Sequence, residues 1–214
     1  FGYVYEGIED CLTLNVFLPK RALLSDKKIP VIFFIHGGAF MYGGSNVYGP
    51  DNIMKSQNMI LVTINYRLGV LGFLSTEDEE ISGNFGLKDQ AEALRWVQKN
   101  IAAFNGDPDR VTITGFSAGG ASVHLHYMSP MSQNLFNNGI SHSGVAINPW
   151  VMMERATEKA HQLAFSVKCP HDNHTKMLEC LRTKPAEELV MFAKTFQPFL
   201  YNPFSPFGVV VEKP

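Results

Sequence analysis

Gly115-Phe116-Ser117-Ala118-Gly119 sets a serine between two glycines on a G-x-S-x-G spacing. The setting adds to the spacing: the apolar run Val111–Thr114 leads into the motif and an apolar helical stretch follows it. That is the strand–turn–helix context in which such a serine becomes an exposed nucleophile for acyl transfer. Alone, the motif recurs by chance in about one chain in ten of this composition. A second element accompanies it. His36-Gly37-Gly38-Ala39 also follows a buried apolar run and stands upstream of Ser117. A tetrahedral oxyanion needs two or three fixed N–H donors, and small residues let backbone come close to a substrate. Gly38, Ala39 and Ala118 are the natural donors. Losing one such donor typically costs about 10²–10³ in rate.

A serine nucleophile also needs a histidine base and an acid that orients it, in chain order Ser, acid, His for this kind of turn. The histidines after Ser117 are His124, His126, His142, His161, His171 and His174. His124 and His126 lie on the helix that Ser117 opens and are carried about 10–14 Å along its axis, away from the hydroxyl. His142 follows a strand too early in the order, His161 falls in a surface helix, and His171 and His174 lie between two cysteines. None is assigned as the base. The histidines are scattered and the cysteines lack C-x-x-C spacing, so neither a metal site nor a cofactor is expected.

The chain that must position these groups has 214 residues, 45% hydrophobic and 18% charged, enough for a substantial core. Its formal charge of −2, without a long Lys/Arg run, argues against a nucleic-acid partner. The apolar runs are too short to span a bilayer. Residues 11–18 alternate with period two and read as a half-buried strand ended by Pro19, and residues 20–29 read as a polar hairpin or surface loop. Pro30–Ile35 and Asn58–Tyr66 are continuous apolar runs, as in strands covered on both faces. Leu87, Ala91, Leu94, Val97, Ile101 and Phe104 mark one face of a long helix that Asn105-Gly106 stops. Short strands are expected at 110–114 and 139–143, with helices at 117–128, 153–167, 174–182 and 186–194. The Phe- and Pro-rich stretch from Phe192 to Phe207 either lines a gorge or packs, and packing is favoured. Alternating strands and helices predict an α/β fold with a largely parallel sheet.

In these and further blocks the sequence resembles the type-B carboxylesterases, the α/β-hydrolase group that includes insect esterases and cholinesterases. Glu9-Asp10-Cys11-Leu12-Thr13-Leu14-Asn15-Val16 is similar to the family's N-terminal signature. Asn65-Tyr66-Arg67, Gly83-Asn84-Phe85-Gly86-Leu87-Lys88-Asp89-Gln90 and Thr114-Gly115-Phe116-Ser117-Ala118-Gly119-Gly120 follow in the family's order. Compact hormone-sensitive-lipase-like esterases share the His-Gly-Gly loop, but the block at Glu9 and the cysteine pair below favour type B. The resemblance implies an α/β-hydrolase fold, a central, mostly parallel, twisted sheet flanked by helices. Residues 1–214 would form its N-terminal to middle part, without its start and its C-terminal portion. It implies Ser117 as nucleophile, Gly38, Ala39 and Ala118 as oxyanion hole, and a structural salt bridge between Glu9 and Arg67. Trp150 matches a position bordering the acyl pocket, with core packing as the open alternative, and Phe116 is a second acyl-pocket candidate. Cholinesterases resemble one another in carrying Glu where Phe116 stands, so an uncharged, hydrophobic ester is favoured over a choline ester. The acid and histidine of the family lie beyond residue 214, and this chain alone is therefore expected to be inactive.

The resemblance also implies a disulfide between Cys169 and Cys180, worth roughly 3 kcal/mol in the chain-entropy model. It pairs Cys11 with a cysteine before Phe1, which makes the odd cysteine a mark of truncation, as is a chain that begins without Met. Asn173-His174-Thr175 is a glycosylation sequon inside the cysteine loop. Together these favour an extracellular or secretory-pathway protein. The function implied is a serine ester hydrolase acting on small-molecule esters. Its alternative is an esterase-fold binding or adhesion protein without catalysis, and a lipase working at an interface stays open. Oligomeric state is not legible.

Overall fold

Three apolar segments build the middle of the sheet: β2 (Ile29–Ile35), β3 (Ile60–Ile64) and β4 (Gly106–Phe116). The computed structural model describes residues 5–24, 27–56, 58–197 and 205–212. Two short strands, β1 (Leu14–Phe17) and β5 (Asn138–His142), complete a five-stranded sheet of order β1-β3-β2-β4-β5. β1 runs antiparallel to β3, and every other pair is parallel. All of β3 is buried, as expected for a strand covered on both faces. In β2 burial alternates: Val31, Phe33 and Ile35 are sealed, whereas Ile32 and Phe34 are half-covered, Phe34 lying against Tyr48.

Two strand boundaries differ from expectation for local reasons. β1 begins only at Leu14 because Cys11–Thr13 forms a tight turn, Thr13 N–H donating to the Cys11 carbonyl at 2.7 Å. β4 begins four residues before the expected 110. Asn105 takes a left-handed conformation (φ 60°) that ends the preceding helical turn, and its carbonyl accepts from Ile29 N–H at 2.9 Å. Gly106 thus pairs with Ile29, with a register shift before Val31 meets Val111.

Seven α-helices flank the sheet among the described residues. In chain order they are α1 (Asp51–Ser56), α2 (Gly69–Phe73), α3 (Phe85–Asn100), α4 (Ala118–Met128), α5 (Ala156–Ser166), α6 (His174–Leu181) and α7 (Ala186–Ala193). On α3 the expected stripe is inward: Ala91, Leu94 and Val97 are buried, and Ile101 continues it in a 3₁₀ turn, Ile101–Phe104. The segment 205–212 returns to the core, with Phe207 buried edge-on against Phe196 at 5.2 Å and Val209 bridging Met152. These contacts agree with packing for that stretch, while Phe199 and Phe204 lie outside the described residues.

One consequence of the strand order bears on chemistry. After β2 the chain goes to β3 on one side, and after β3 it crosses to β4 on the other. At such a switch point the loops leaving the carboxyl ends of adjacent strands part, leaving a crevice where α/β sheets bind ligands. The loops leaving β2 and β4 are the His-Gly-Gly loop and the Ser117 turn.

Candidate active site

β2 and β4 end in register, Ile35 opposite Gly115, so the two loops start side by side. Ser117 sits at the β4–α4 junction with φ 56° and ψ −115°, a conformation that costs a non-glycine residue of order 1–3 kcal/mol and persists only when its surroundings impose it. They do. Ser117 N–H donates to the His142 carbonyl at 2.7 Å, and the Ser117 carbonyl accepts from Ala121 N–H at 2.9 Å. The turn can be this sharp because residue 119 has no side chain: a Cβ on Gly119 would lie 2.0 Å from the Ile35 carbonyl oxygen. Ala118, fully buried, opens α4, where first-turn N–H groups have no acceptor within the helix.

The β2 loop is equally constrained. Gly38 has φ +117°, and its carbonyl accepts from Met41 and Tyr42 N–H at 2.8 and 3.0 Å. Ala39 and Phe40 follow with φ of 56° and 59°, two successive left-handed non-glycine residues. Three contacts hold them: Ser205 Oγ donates to the Ala39 carbonyl, Gly69 N–H donates to the Phe40 carbonyl, and the Phe40 ring is buried between Phe73 and Trp150. Among the described residues, no acceptor takes up the amides of Gly38 or Ala39.

His36 orients that backbone. Its Nδ1 lies 2.8 Å from the Gly37 carbonyl oxygen, an N–H donating to C=O. A trans peptide points its C=O and the following N–H in opposite directions, so pinning Gly37 O aims Gly38 N–H the other way. Burial lowers the His36 pKa, outweighing the opposing effect of the Gly37 bond, and keeps the ring neutral. Tyr66 stacks on the imidazole, with ring centroids 4.4 Å apart, and its hydroxyl donates to the His36 carbonyl at 2.9 Å. Burial raises the Tyr66 pKa, so the phenol stays protonated to donate.

A strained serine at a strand–helix turn therefore faces a loop whose Gly38 and Ala39 amides have no acceptor among the described residues. A family model described as the carboxylesterase family matches residues 3–214. The chain belongs to the carboxylesterase family. It is 50% identical over 99% of its length to venom carboxylesterase-6 of Apis mellifera, covering 38% of that protein. It is 47% identical over 96% of its length to esterase E4 of Myzus persicae, and 47% over 97% to esterase-5A of Drosophila pseudoobscura pseudoobscura, again covering 38% of each. It thus spans under two-fifths of the length of these curated relatives. Its mostly parallel sheet and flanking helices are those of the α/β-hydrolase fold that this carboxylesterase membership implies.

The remaining expected residues divide. Trp150 packs on Phe40 at 6.0 Å and borders a cavity of about 550 Å³, shared with Met153, Glu158, Lys159 and Ser205, so it touches both the core and an open space. The Phe116 side chain is half-exposed. Cys169 and Cys180 form the expected disulfide, and Cys11 is a free, half-buried thiol. Asn173 caps α6, its Oδ1 accepting from Lys176 N–H at 2.9 Å, which leaves the nitrogen a glycan would use outside the cap.

The Glu9–Arg67 pair is a correction. Arg67 instead makes a two-pronged bond to Asp89, Nε to Oδ2 at 2.8 Å and a terminal nitrogen to Oδ1 at 2.7 Å, while Glu9 is exposed. Asp89 wins because it stands inside the first two turns of α3, largely buried, and also accepts from Arg67 N–H at 3.0 Å. The Asp89 bond raises the Arg67 pKa against the effect of burial. The signal was available: Asp89 lies in the block Gly83–Gln90.

Among the described residues, no side chain is hydrogen-bonded to the Ser117 hydroxyl. His124 Nδ1 accepts from Ala146 N–H at 3.2 Å. His126 is sealed between Gln90 Oε1 at 2.9 Å and Ser132 Oγ at 2.7 Å. Gln90 in turn donates to Ser122 Oγ at 3.3 Å, and Ser122 donates to the Ala118 carbonyl at 3.0 Å. This buried chain, which anchors the start of α4, was not legible in the sequence.

Proposed function

We propose that the protein of which this chain forms part is a serine carboxylesterase working through an acyl-enzyme on Ser117. The observation that carries the reading is the Ser117 backbone at φ 56° and ψ −115°, a strained geometry with no evident purpose unless the hydroxyl is to be displayed. Ser117 Oγ would attack the ester carbonyl and pass its proton to a histidine. The amides of Gly38, Ala39 and Ala118 would hold the negative oxygen while the alcohol leaves, and water would then release the acid. By the resemblance described above, the acid and the histidine are contributed from beyond residue 214, and residues 1–214 alone are inactive. The relatives' printed names, venom carboxylesterase-6 among them, are consistent with ester hydrolysis.

An uncharged, hydrophobic ester is favoured because Phe116 offers an apolar ring beside the nucleophile, with Trp150 as a second candidate for the acyl side. The disulfide and the exposed sequon at Asn173 support a secreted glycoprotein. The test is active-site labelling of the full-length protein with a fluorophosphonate. Adduct on the peptide containing Ser117, lost in Ser117→Ala together with nitrophenyl-ester hydrolysis, is expected. Labelling elsewhere, or hydrolysis unchanged in Ser117→Ala, overturns the reading. A preference for choline over naphthyl esters overturns the substrate class alone.

A further inference from the structure

The β2 loop contains a hydrogen-bonded four-residue turn, Gly38–Met41, in which Met41 N–H donates to the Gly38 carbonyl at 2.8 Å. Both central residues, Ala39 and Phe40, have positive φ, 56° and 59°. That is the pattern of a type I′ turn, whose central positions are dominated by glycine, asparagine and aspartate. In alanine and phenylalanine the Cβ crowds the following carbonyl oxygen, so each residue would gain by leaving the left-handed region. Contacts from outside the turn must hold it.

The two residues are held unequally. Phe40 has its carbonyl taken by Gly69 N–H at 2.6 Å and its ring packed against Phe73 at 4.9 Å and Trp150 at 6.0 Å. Ala39 has only a methyl group to pack. Among the described residues, its carbonyl accepts from Ser205 Oγ alone. Ala39 and Ser205 are both buried, at 1% and 7% exposure, so bulk water is no substitute for that donor. Rotation about the Ala39 N–Cα bond swings the Ala39 N–H relative to the peptide that follows, and Ser205 holds that following peptide by its carbonyl. Without the bond, Ala39 gains by moving to negative φ, and its N–H turns with it.

We infer that Ser205 is a positioning residue for the oxyanion hole: its hydroxyl keeps Ala39 in the left-handed conformation that presents the Ala39 amide. This role presupposes the serine-esterase reading given above and adds a residue to it. It predicts a loss confined to the transition state. The oxyanion forms only during reaction, so a displaced donor lowers kcat and leaves KM largely alone. Ser205 also borders the cavity that Trp150 shares, so shortening its side chain opens space instead of pressing on the core.

The test is steady-state hydrolysis of a nitrophenyl ester by the full-length protein and its variants, at a temperature where the circular dichroism of each is native. Ser205→Ala is expected to lower kcat by about tenfold or more, with KM unchanged. Ser205→Thr keeps the hydroxyl and should match the parent, whereas Ser205→Val, of the same shape without it, should fall with the alanine variant. That pair decides the matter at matched volume if Ser205→Ala misfolds. The sharpest variant is Ala39→Gly combined with Ser205→Ala. Glycine takes positive φ without steric cost, so residue 39 no longer needs the bond, and most of the lost kcat should return. A Ser205 that merely packed would not be rescued by removing a methyl group elsewhere. Parent kcat in Ser205→Ala or Ser205→Val, or no recovery in the double variant, overturns the role while the esterase reading stands. Hydrolysis that survives Ser117→Ala overturns that reading, and the role of Ser205 with it.

Discussion

Gly37 and Ser117 leave no room for a side chain between them: a Cβ on Gly37 would stand 3.3 Å from Ser117 Cβ and 2.6 Å from the Phe116 carbonyl oxygen. This close approach brings the loop that carries the proposed oxyanion donors against the turn that carries the nucleophile.

Gly37→Ala is therefore expected to impair the site beyond its effect on folding. The added methyl presses on backbone rather than on a flexible side chain, and overpacking of this kind costs about 1–3 kcal/mol. Fluorophosphonate labelling of the full-length variant at a temperature where its circular dichroism is native should fall at least tenfold. An unchanged rate would show that the two loops move independently.

The Arg67–Asp89 pair and the exposed Glu9 make opposite predictions. Asp89→Asn strips the guanidinium of a charged, bidentate partner and should cost about 2 kcal/mol in urea denaturation. Glu9→Gln should stay within about 0.5 kcal/mol of the parent, as surface changes do. A large loss in Glu9→Gln would restore the pairing that the resemblance implies.

His126 makes stability fall in acid. Burial pushes its pKa down to about 4, below the ordinary 6.5 of an unfolded chain. Between those values the unfolded state takes up a proton that the folded state refuses. The contribution is therefore complete above pH 6.5 and fades toward pH 4, by up to about 3 kcal/mol. Denaturation midpoints at pH 7.5 and 4.5 should converge in His126→Gln, relative to the parent, by an amount of that order. An equal pH dependence in both proteins would assign the acid loss elsewhere.

Asn173 has two separable roles. Asn173→Gln should remove about 1 kcal/mol through the lost α6 cap, and in secreted protein it should also remove any glycan mass. Thr175→Ala leaves the cap side chain in place and abolishes the sequon, so only the mass should change. A full stability loss in Thr175→Ala would mean that the glycan, not the cap, supports the helix.

The central sheet was legible because continuous apolar runs have few alternatives, and the Ser117 turn because glycine spacing and a preceding strand coincide. Contacts between distant segments were not. Nothing local to Asp78 announces His174, and nothing in Gln90 announces His126, since both pairings depend on how α3, α4 and α6 land on the sheet. The early start of β4 escaped for a related reason: Asn105 and Gly106 signal only the end of a helix, and it is Ile29 that recruits them into the sheet. Glu9 was misassigned because a resemblance transfers a pairing without its geometry.

Ser205 closes onto Ala39 across 166 residues of chain, and that separation has a kinetic meaning. Contacts so distant in sequence are reached only after the intervening loop has lost its freedom, and they form late. The left-handed pair Ala39–Phe40 lacks part of its support until then. During refolding of the full-length protein, a native-like helical signal should therefore precede competence to react with a serine-directed probe, the scaffold standing before its two loops are locked.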